Sequence, residues 1–120
     1  MNQRTATLLH DALSAGEEVQ QYVASTTREQ FLEDRSLHLI FERLFEIIGI
    51  ALAKAIQLEP DLKTRIPEVR KIIDTRNRIA HEYADVNYPL MWFTATRKVP
   101  EMCATIARLL EDVPVDEDPE

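Results

Sequence analysis

The chain has 120 residues, of which 45% are hydrophobic and 29% charged, with two glycines and one cysteine. This composition is typical of one folded globular domain and excludes a disordered chain, a disulfide framework and a cysteine-based zinc site. The net charge of −7 is uneven, because residues 111–120 hold six of the 21 acids and no base, leaving 15 acids against 14 bases elsewhere.

Hydrophobic residues at helical spacing predict a first helix over about residues 4–24. Thr27 and Gln30 form a capping box that predicts the start of a long second helix over about residues 28–57. Its segment LHLIFERLFEIIGIALAKAI is hydrophobic over more than half of its circumference. Such a helix is buried on more than one side, so we expect a second copy of the chain to cover part of it.

The second half of the chain predicts two more helices. Residues 57–67 are expected to form a loop with one short turn, and Pro67 suits the first position of a third helix. A last helix is predicted over about residues 89–111, with a kink at Pro100, since proline lacks the backbone donor and clashes with the preceding turn. No segment alternates with period two, so the sequence predicts an all-α bundle of four or five helices.

Residues 1–111 are therefore expected to form one helical domain, and residues 112–120 an acidic, disordered tail. Charges occur too early for a signal peptide, and no apolar run approaches the roughly 20 residues of a membrane span, so a cytoplasmic protein is expected. Cys103 lies between Met102 and Ala104 in a helical pattern and is expected to be a small buried side chain.

The predicted third helix carries the segment RNRIAHEY at residues 76–83. At about 100° per residue, Arg76 falls in the middle of the apolar stripe, and Asn77 and His81, four residues apart, flank it. The other residues within about 60° of Arg76 are Val69, Ile72, Ile73, Ile79, Ala80 and Tyr83. Six bases stand against two acids between Lys63 and Arg78, which suits a phosphate-bearing ligand, although solvated helix faces carry such runs as well.

A guanidinium keeps its charge, so on an apolar face it needs a partner. Arg76 could pair with a buried acid such as Glu46, extend its head into water, or bind a phosphate in a cleft. The structural explanations are favoured for an isolated arginine, but the neighbouring asparagine, histidine and tyrosine favour a site. His10 and His38 have no polar neighbours at helical spacing and are expected to be packing residues.

The pattern formed by Arg76, Asn77, His81 and Tyr83 resembles the R-x4-6-H motif of HEPN domains, and more narrowly the R-x4-H-x-Y form of HepT-like toxins. The similarity covers about residues 28–110, including the Glu-Ile-Ile-Gly core of the second helix, the proline-led motif helix and the proline of the last helix. In one departure, Ile50 stands where the family usually has an acid after the glycine, and Glu46 lies one turn earlier.

The resemblance implies a two-fold homodimer of helical bundles with facing motif helices and metal-independent endoribonuclease activity, without a cofactor. Arg76 and His81 would be the catalytic pair and Asn77 their polar helper, with Glu46 and Arg78 considered as support. In the HepT branch the toxin belongs to a type VII-like toxin–antitoxin pair. An MntA-like minimal nucleotidyltransferase antitoxin silences it by adding AMP to the motif tyrosine, here Tyr83.

Elementary chemistry supports a dimer for this reaction. Metal-free cleavage of RNA by its own 2′-hydroxyl needs a base, an acid and cationic support for the phosphorane. Histidine, with an ordinary pKa of about 6.5, serves as either base or acid. One motif helix offers only one suitable histidine, His81, whereas a two-fold dimer offers two across one cleft.

Two other classes of protein remain open at this point. One is a non-catalytic HEPN subunit in which Arg76 and His81 bind a substrate or nucleotide for a minimal nucleotidyltransferase. The other is a purely structural helical dimer, which leaves Arg76 unexplained. The sequence shows no sign of aromatic residues that read bases, so any RNA specificity is expected to come from the shape of the cleft.

Overall fold

The computed structural model describes residues 1–81 and 86–113, and of Ala80 and His81 only the backbone. The regular elements in this part of the chain are all helical: α1 (Gln3–Ala24), α2 (Arg28–Glu33), α3 (Arg35–Leu58), α4 (Leu62–Arg65), α5 (Val69–His81), α6 (Tyr88–Phe93), a π-helical turn (Thr94–Lys98) and α7 (Val99–Glu111). The all-α prediction is confirmed. Most of the predicted acidic tail, residues 114–120, lies outside the described residues.

Helix α3 is the centre of the bundle. It packs against α1 on one side and against α5 on another, while α7 packs against α1. Each large side chain that is fully buried here stabilises the fold by roughly 1.5–3 kcal/mol relative to exposure. They include Leu9, Phe31, Phe41, Phe45, Ile48, Leu52, Ile72, Met102 and Ile106. None of the helices in the described residues is long and apolar enough to cross a membrane.

The predicted second helix is divided into two. The capping box is confirmed, since the Gln30 N–H donates to Thr27 Oγ1 at 3.1 Å and the Thr27 N–H donates to Gln30 Oε1 at 2.9 Å. At Asp34 the backbone becomes extended, with φ −105° and ψ 98°. The carboxylate of Asp34 accepts the Leu37 N–H at 3.1 Å, so this residue caps α3 and ends α2.

The start of the motif helix also differs from the prediction by two residues. Helix α5 begins at Val69, and Pro67 lies in the turn before it. The Val69 N–H donates to Ile66 O at 3.0 Å, which closes a tight turn between α4 and α5. The short α4 accounts for the single turn expected in this loop.

The predicted interruption near Pro100 takes the form of a π-helical turn. The Val99 N–H donates to Thr94 O, five residues back, and Pro100 occupies the first turn of α7, where its missing donor is tolerated. Cys103 of α7 is buried as expected, against Gly16 of α1. Burial raises the pKa of its thiol to about 11, which makes it a structural side chain rather than a reactive one.

Candidate functional site

The stem of Arg76 lies directly on Gly49, where α5 crosses α3. A Cβ atom built on Gly49 would lie 2.6 Å from Cγ of Arg76 and 2.8 Å from its Cβ, closer than two carbon atoms can approach. The absence of a side chain at this position of α3 therefore lets the methylene stem of Arg76 pack against the helix backbone. The sequence analysis missed this role, although a glycine inside a strongly apolar helix was a visible signal.

The guanidinium of Arg76 has few partners. Its Nη1 donates to Oδ1 of the neighbouring Asn77 at 3.2 Å. Its Nε is buried and has no hydrogen-bond partner among the described residues. A buried donor without a partner costs about 1–3 kcal/mol, so the arrangement is not explained by stability.

The first of the three explanations considered for Arg76, an ion pair with Glu46, is not observed. Glu46 instead accepts from Arg43 on its own helix at 2.6 Å, and both side chains are substantially exposed. Within the described residues, no carboxylate lies within 4 Å of the Arg76 guanidinium. The methylene chain of Arg76 does pack on the surface of α3 with the guanidinium extended away from it, as in the second explanation.

Arg76 lies at an edge of the buried stripe of α5 rather than at its centre. The buried residues Val69, Ile72 and Thr75 are centred about 40° away from Arg76, which is only partly buried. Thr75 can occupy the interior because its hydroxyl donates to Lys71 O at 2.9 Å and lies 3.3 Å from Oγ1 of Thr94. Helix α5 is thereby rotated so that Arg76 reaches the surface beside α3.

An open pocket of about 260 Å³ lies between α3 and α5 at this place. Its lining residues are Leu39, Glu42, Arg43, Glu46, Arg76 and Ile79. Both charged ends of the Arg43–Glu46 pair and the arginine of the motif thus border one depression. Leu39 at its rim is 51% exposed.

A second set of contacts fixes the beginning of α6 next to this pocket. The Tyr88 hydroxyl donates to Oε2 of Glu42 at 2.7 Å, and the His38 ring stacks on the Tyr88 ring with centroids 3.7 Å apart. His38 in turn donates from Nε2 to Phe31 O at 2.7 Å, so its predicted role as a packing residue is confirmed, whereas the same prediction is wrong for His10, which is exposed on α1. Burial and the hydrogen bond to Glu42 raise the pKa of Tyr88 to about 12. The sequence analysis missed both Tyr88 and Glu42.

The remaining residues of the predicted site fall at different places. Helix α5 continues through His81, so its backbone lies one turn beyond Asn77 on the same helix face, but the side chain of His81 and the whole of Tyr83 lie outside the described residues. Arg78 is exposed and projects about 160° around α5 from Arg76. The structure therefore brings Arg76, Asn77 and Glu46 to one face and places Arg78 on another.

Metal ligands do not converge in the part of the chain that the structure describes. No group of three or more histidine, cysteine, aspartate or glutamate side chains there is arranged to hold a metal ion. Two arginines, Arg43 and Arg76, border the pocket and can donate to a phosphate, while the two glutamates of the lining are engaged by Tyr88 and Arg43.

Comparison with known proteins agrees with the motif. The family model described as Ribonuclease HepT-like matches residues 12–109. A protein of Methanocaldococcus jannaschii, provisionally named as an RNase, is 23% identical over 107 residues, 88% of this chain and 90% of its own. A protein of Caldanaerobacter subterraneus subsp. tengcongensis with the same kind of name is 30% identical over 83 residues, 69% of this chain and 73% of its own.

A third relative, from Thermococcus cleftensis, is provisionally named ribonuclease HepT and is 26% identical over 103 residues, 84% of this chain and 91% of its own. No solved structure matches the chain. The chain belongs to the Ribonuclease HepT-like family, and the resemblance inferred from residues 76–83 is confirmed at that level.

The unpartnered guanidinium leads to a prediction about stability. Replacing Arg76 with Met keeps a long apolar stem on Gly49 and removes the buried donor, so Arg76→Met is expected to raise the free energy of unfolding by about 1 kcal/mol. Urea denaturation measures this change. Arg43→Met is the matched control, since its exposed ion pair should contribute within about 0.5 kcal/mol of zero. A clear loss of stability in Arg76→Met would mean that protein groups hold the guanidinium.

Proposed function

We propose that the chain is a metal-independent endoribonuclease in which Arg76 binds the scissile phosphate of RNA. The observation that carries this proposal is the guanidinium of Arg76, which borders an open pocket and has a buried Nε without a partner among the described residues. A phosphate offers the oxygen acceptors that this planar, permanently charged group lacks. Membership of the Ribonuclease HepT-like family supports RNA as the source of that phosphate.

The reaction is an internal transfer within the RNA. The ribose 2′-oxygen attacks phosphorus while the bond from phosphorus to the 5′-oxygen breaks, giving a 2′,3′-cyclic phosphate and a 5′-hydroxyl. One His81 accepts the proton of the 2′-hydroxyl and a second gives a proton to the departing 5′-oxygen. Arg76 stabilises the charge that develops on the phosphorane, and Asn77 orients the guanidinium through its bond to Nη1.

Two histidines require two copies of the chain, and the surface of α3 supports a two-fold dimer. Leu39 and Ile50 of α3 are 51% and 38% exposed. Leu39 borders the Arg76 pocket, and Ile50 borders a neighbouring groove between α1 and α3. Covering these side chains with a second copy removes apolar surface from water. In that arrangement two Arg76 side chains face one cleft, and the two-fold axis supplies the second His81.

We further propose that the chain is the toxin of a type VII-like toxin–antitoxin pair. Its partner is an MntA-like minimal nucleotidyltransferase that transfers AMP to the hydroxyl of Tyr83, with pyrophosphate leaving from ATP. Tyr83 follows Arg76 by seven residues in the same motif. The phosphate of the attached AMP would compete with RNA for the guanidinium of Arg76, which gives the proposed silencing an electrostatic cause.

The alternative function is a non-catalytic subunit that binds a substrate or nucleotide for such a nucleotidyltransferase. One observation favours it: the two acids that line the Arg76 pocket are already engaged, Glu46 by Arg43 and Glu42 by Tyr88. In the described part of the pocket no carboxylate is therefore left without a partner to act as a base, and cleavage depends on His81.

The first prediction concerns cleavage by the purified protein in EDTA. Unmodified protein, made without its partner and checked by intact mass, is expected to cut RNA and leave 2′,3′-cyclic phosphate ends. His81→Ala is expected to lower the rate at least about 100-fold, the usual contribution of a general acid or base. Absence of cleavage by verified unmodified dimer would contradict the proposal and favour the binding subunit.

A second prediction tests the dimer with two matched variants. Leu39→Glu places a charge in the proposed interface and is expected to give a monomer by light scattering that does not cut RNA. Leu58→Glu changes another exposed leucine, at the end of α3, and should leave both properties unchanged. A monomeric wild-type protein that still cuts RNA would rule out the shared cleft.

A third prediction concerns silencing. When the chain is produced together with the nucleotidyltransferase, wild type is expected to gain the mass of one AMP and lose its ribonuclease activity. Tyr83→Phe should keep the activity and gain no AMP, because the accepting hydroxyl is absent. Silencing that persists in this variant would show that Tyr83 is not the target.

A further inference from the structure

The charges of this chain are divided between its two halves. Residues 1–62 carry ten acids and five bases, whereas residues 63–108 carry nine bases and five acids, a net of −5 against +4. The second range contains α5, α6 and most of α4 and α7, so the basic side chains are concentrated on these helices, where they favour a polyanion. Arg76 accounts for only one of the nine bases.

Phe93 is the most unusual side chain on the basic side. The chain has four phenylalanines; the other three are fully buried, while Phe93 is 45% exposed at the end of α6. The guanidinium carbon of Arg97, one turn later, lies 5.9 Å from the centroid of the Phe93 ring. An exposed ring with an arginine over it combines the two planar groups on which nucleic acid bases stack.

The helical segment that carries the Phe93 ring packs against α5. Thr94, the next residue, is buried, with its Oγ1 3.3 Å from that of Thr75 in α5. The Thr94 hydroxyl also donates to Leu90 O at 3.0 Å. The π-helical turn that begins at Thr94 carries Arg97. Phe93 and Arg97 are thus held against α5 instead of lying on a free loop.

The flank of α5 on which Thr75 contacts the π-helical turn carries two exposed cations and one exposed acid, Asp74. Lys71 and Arg78 are both exposed and, at seven residues apart, point in nearly the same direction about 10 Å apart along the helix. Thr75, the contact point with the π-helical turn, lies between them in sequence and within about 60° of each around the helix. We name the surface formed by Lys71, Arg78, Phe93 and Arg97 the outer face, because it lies away from the Arg76 pocket.

We propose that the outer face binds a single-stranded segment of the RNA substrate, with one base stacked on Phe93 and the flanking phosphates held by Arg97, Arg78 and Lys71. The inference rests on the proposed ribonuclease function for its choice of nucleic acid. Stacking on an aromatic ring requires an unpaired base, so the face favours single-stranded over double-stranded RNA. The sequence alone shows no sign of aromatic residues that read bases, and this proposal assigns Phe93 to stacking on a base.

The outer face lies apart from the groups that react, so its loss should weaken binding without changing chemistry. Phe93→Ala is therefore expected to raise KM while kcat stays unchanged. Arg78 was considered as support for catalysis from its position in the sequence, and its place about 160° from Arg76 fits phosphate binding on this face better.

The test measures binding separately from cleavage, with full-length protein that carries His81→Ala so that the probe stays intact. A short fluorescently labelled single-stranded RNA is titrated at several salt concentrations. Adding Phe93→Ala is expected to weaken binding at least about fivefold, and adding Phe93→Trp to preserve it. Adding Arg97→Ala should reduce the slope of log affinity against log salt by about 0.7, one phosphate contact.

Arg28→Ala is the matched control for Arg97→Ala, since it removes an exposed arginine of α2 in the acidic half and should leave affinity and slope unchanged. Binding within about twofold of the parent after Phe93→Ala would overturn the proposal, given a folded protein by circular dichroism. Equal affinity of the protein for single-stranded RNA and for a duplex of the same sequence would also overturn the proposal. If Phe93→Ala abolishes binding of the nucleotidyltransferase and leaves RNA affinity intact, the outer face is a protein interface and the proposal is wrong.

The failures of the two proposals are distinguishable. Wild-type protein that cuts RNA with the same KM as Phe93→Ala would contradict the outer face and leave the ribonuclease intact. Protein that never cuts RNA, but binds single strands through Phe93 and Arg97, would contradict the ribonuclease and retain the outer face.

Discussion

The contact between Gly49 and Arg76 is the constraint on which the rest of the site depends. It lets α5 lie so close to α3 that the methylene stem of an arginine fills the space a side chain would occupy. The guanidinium is then carried to the rim of the pocket, with one bond to Asn77 and a buried nitrogen that no described group satisfies. The methylene chain of Arg76 is fixed by packing while its guanidinium lacks acceptors, so the side chain is positioned for a ligand. The buried Nε without a partner is also the reason we expect this site to lower stability in the absence of that ligand.

Two surfaces with different tasks follow from the packing of α5. Its face toward α3 carries Arg76 and the motif, while the opposite side, fixed to the π-helical turn through Thr75 and Thr94, carries exposed cations. In the proposed function, the first surface provides the geometry for phosphate chemistry and the second provides affinity for the strand. The net charge of −7 does not oppose this function, because the basic residues are concentrated in the second half of the chain.

The helices were predictable from sequence because the signals that define them are local. The capping box at Thr27 and the interruption near Pro100 depend on residues a few positions apart, and both are present. The break at Asp34 was missed, although aspartate is a preferred N-cap residue, because the helical spacing of apolar residues continues across it from Phe31 to Leu37. The rotation of α5 was missed because the burial of Thr75 depends on Thr94, 19 residues later. The site could be found by its motif, but the role of Gly49 depends on a tertiary contact.

The most direct test of the account is the effect of an uncleavable RNA on the stability of two proteins. A single-stranded RNA with a 2′-O-methyl group at every ribose cannot cut itself, so it reports on binding without cleavage. At saturation it should raise the melting temperature of the wild type by several degrees, and clearly less in Arg76→Met, whose stem still packs on Gly49. Equal stabilisation of the two proteins would contradict the claim that Arg76 is completed by the phosphate of RNA.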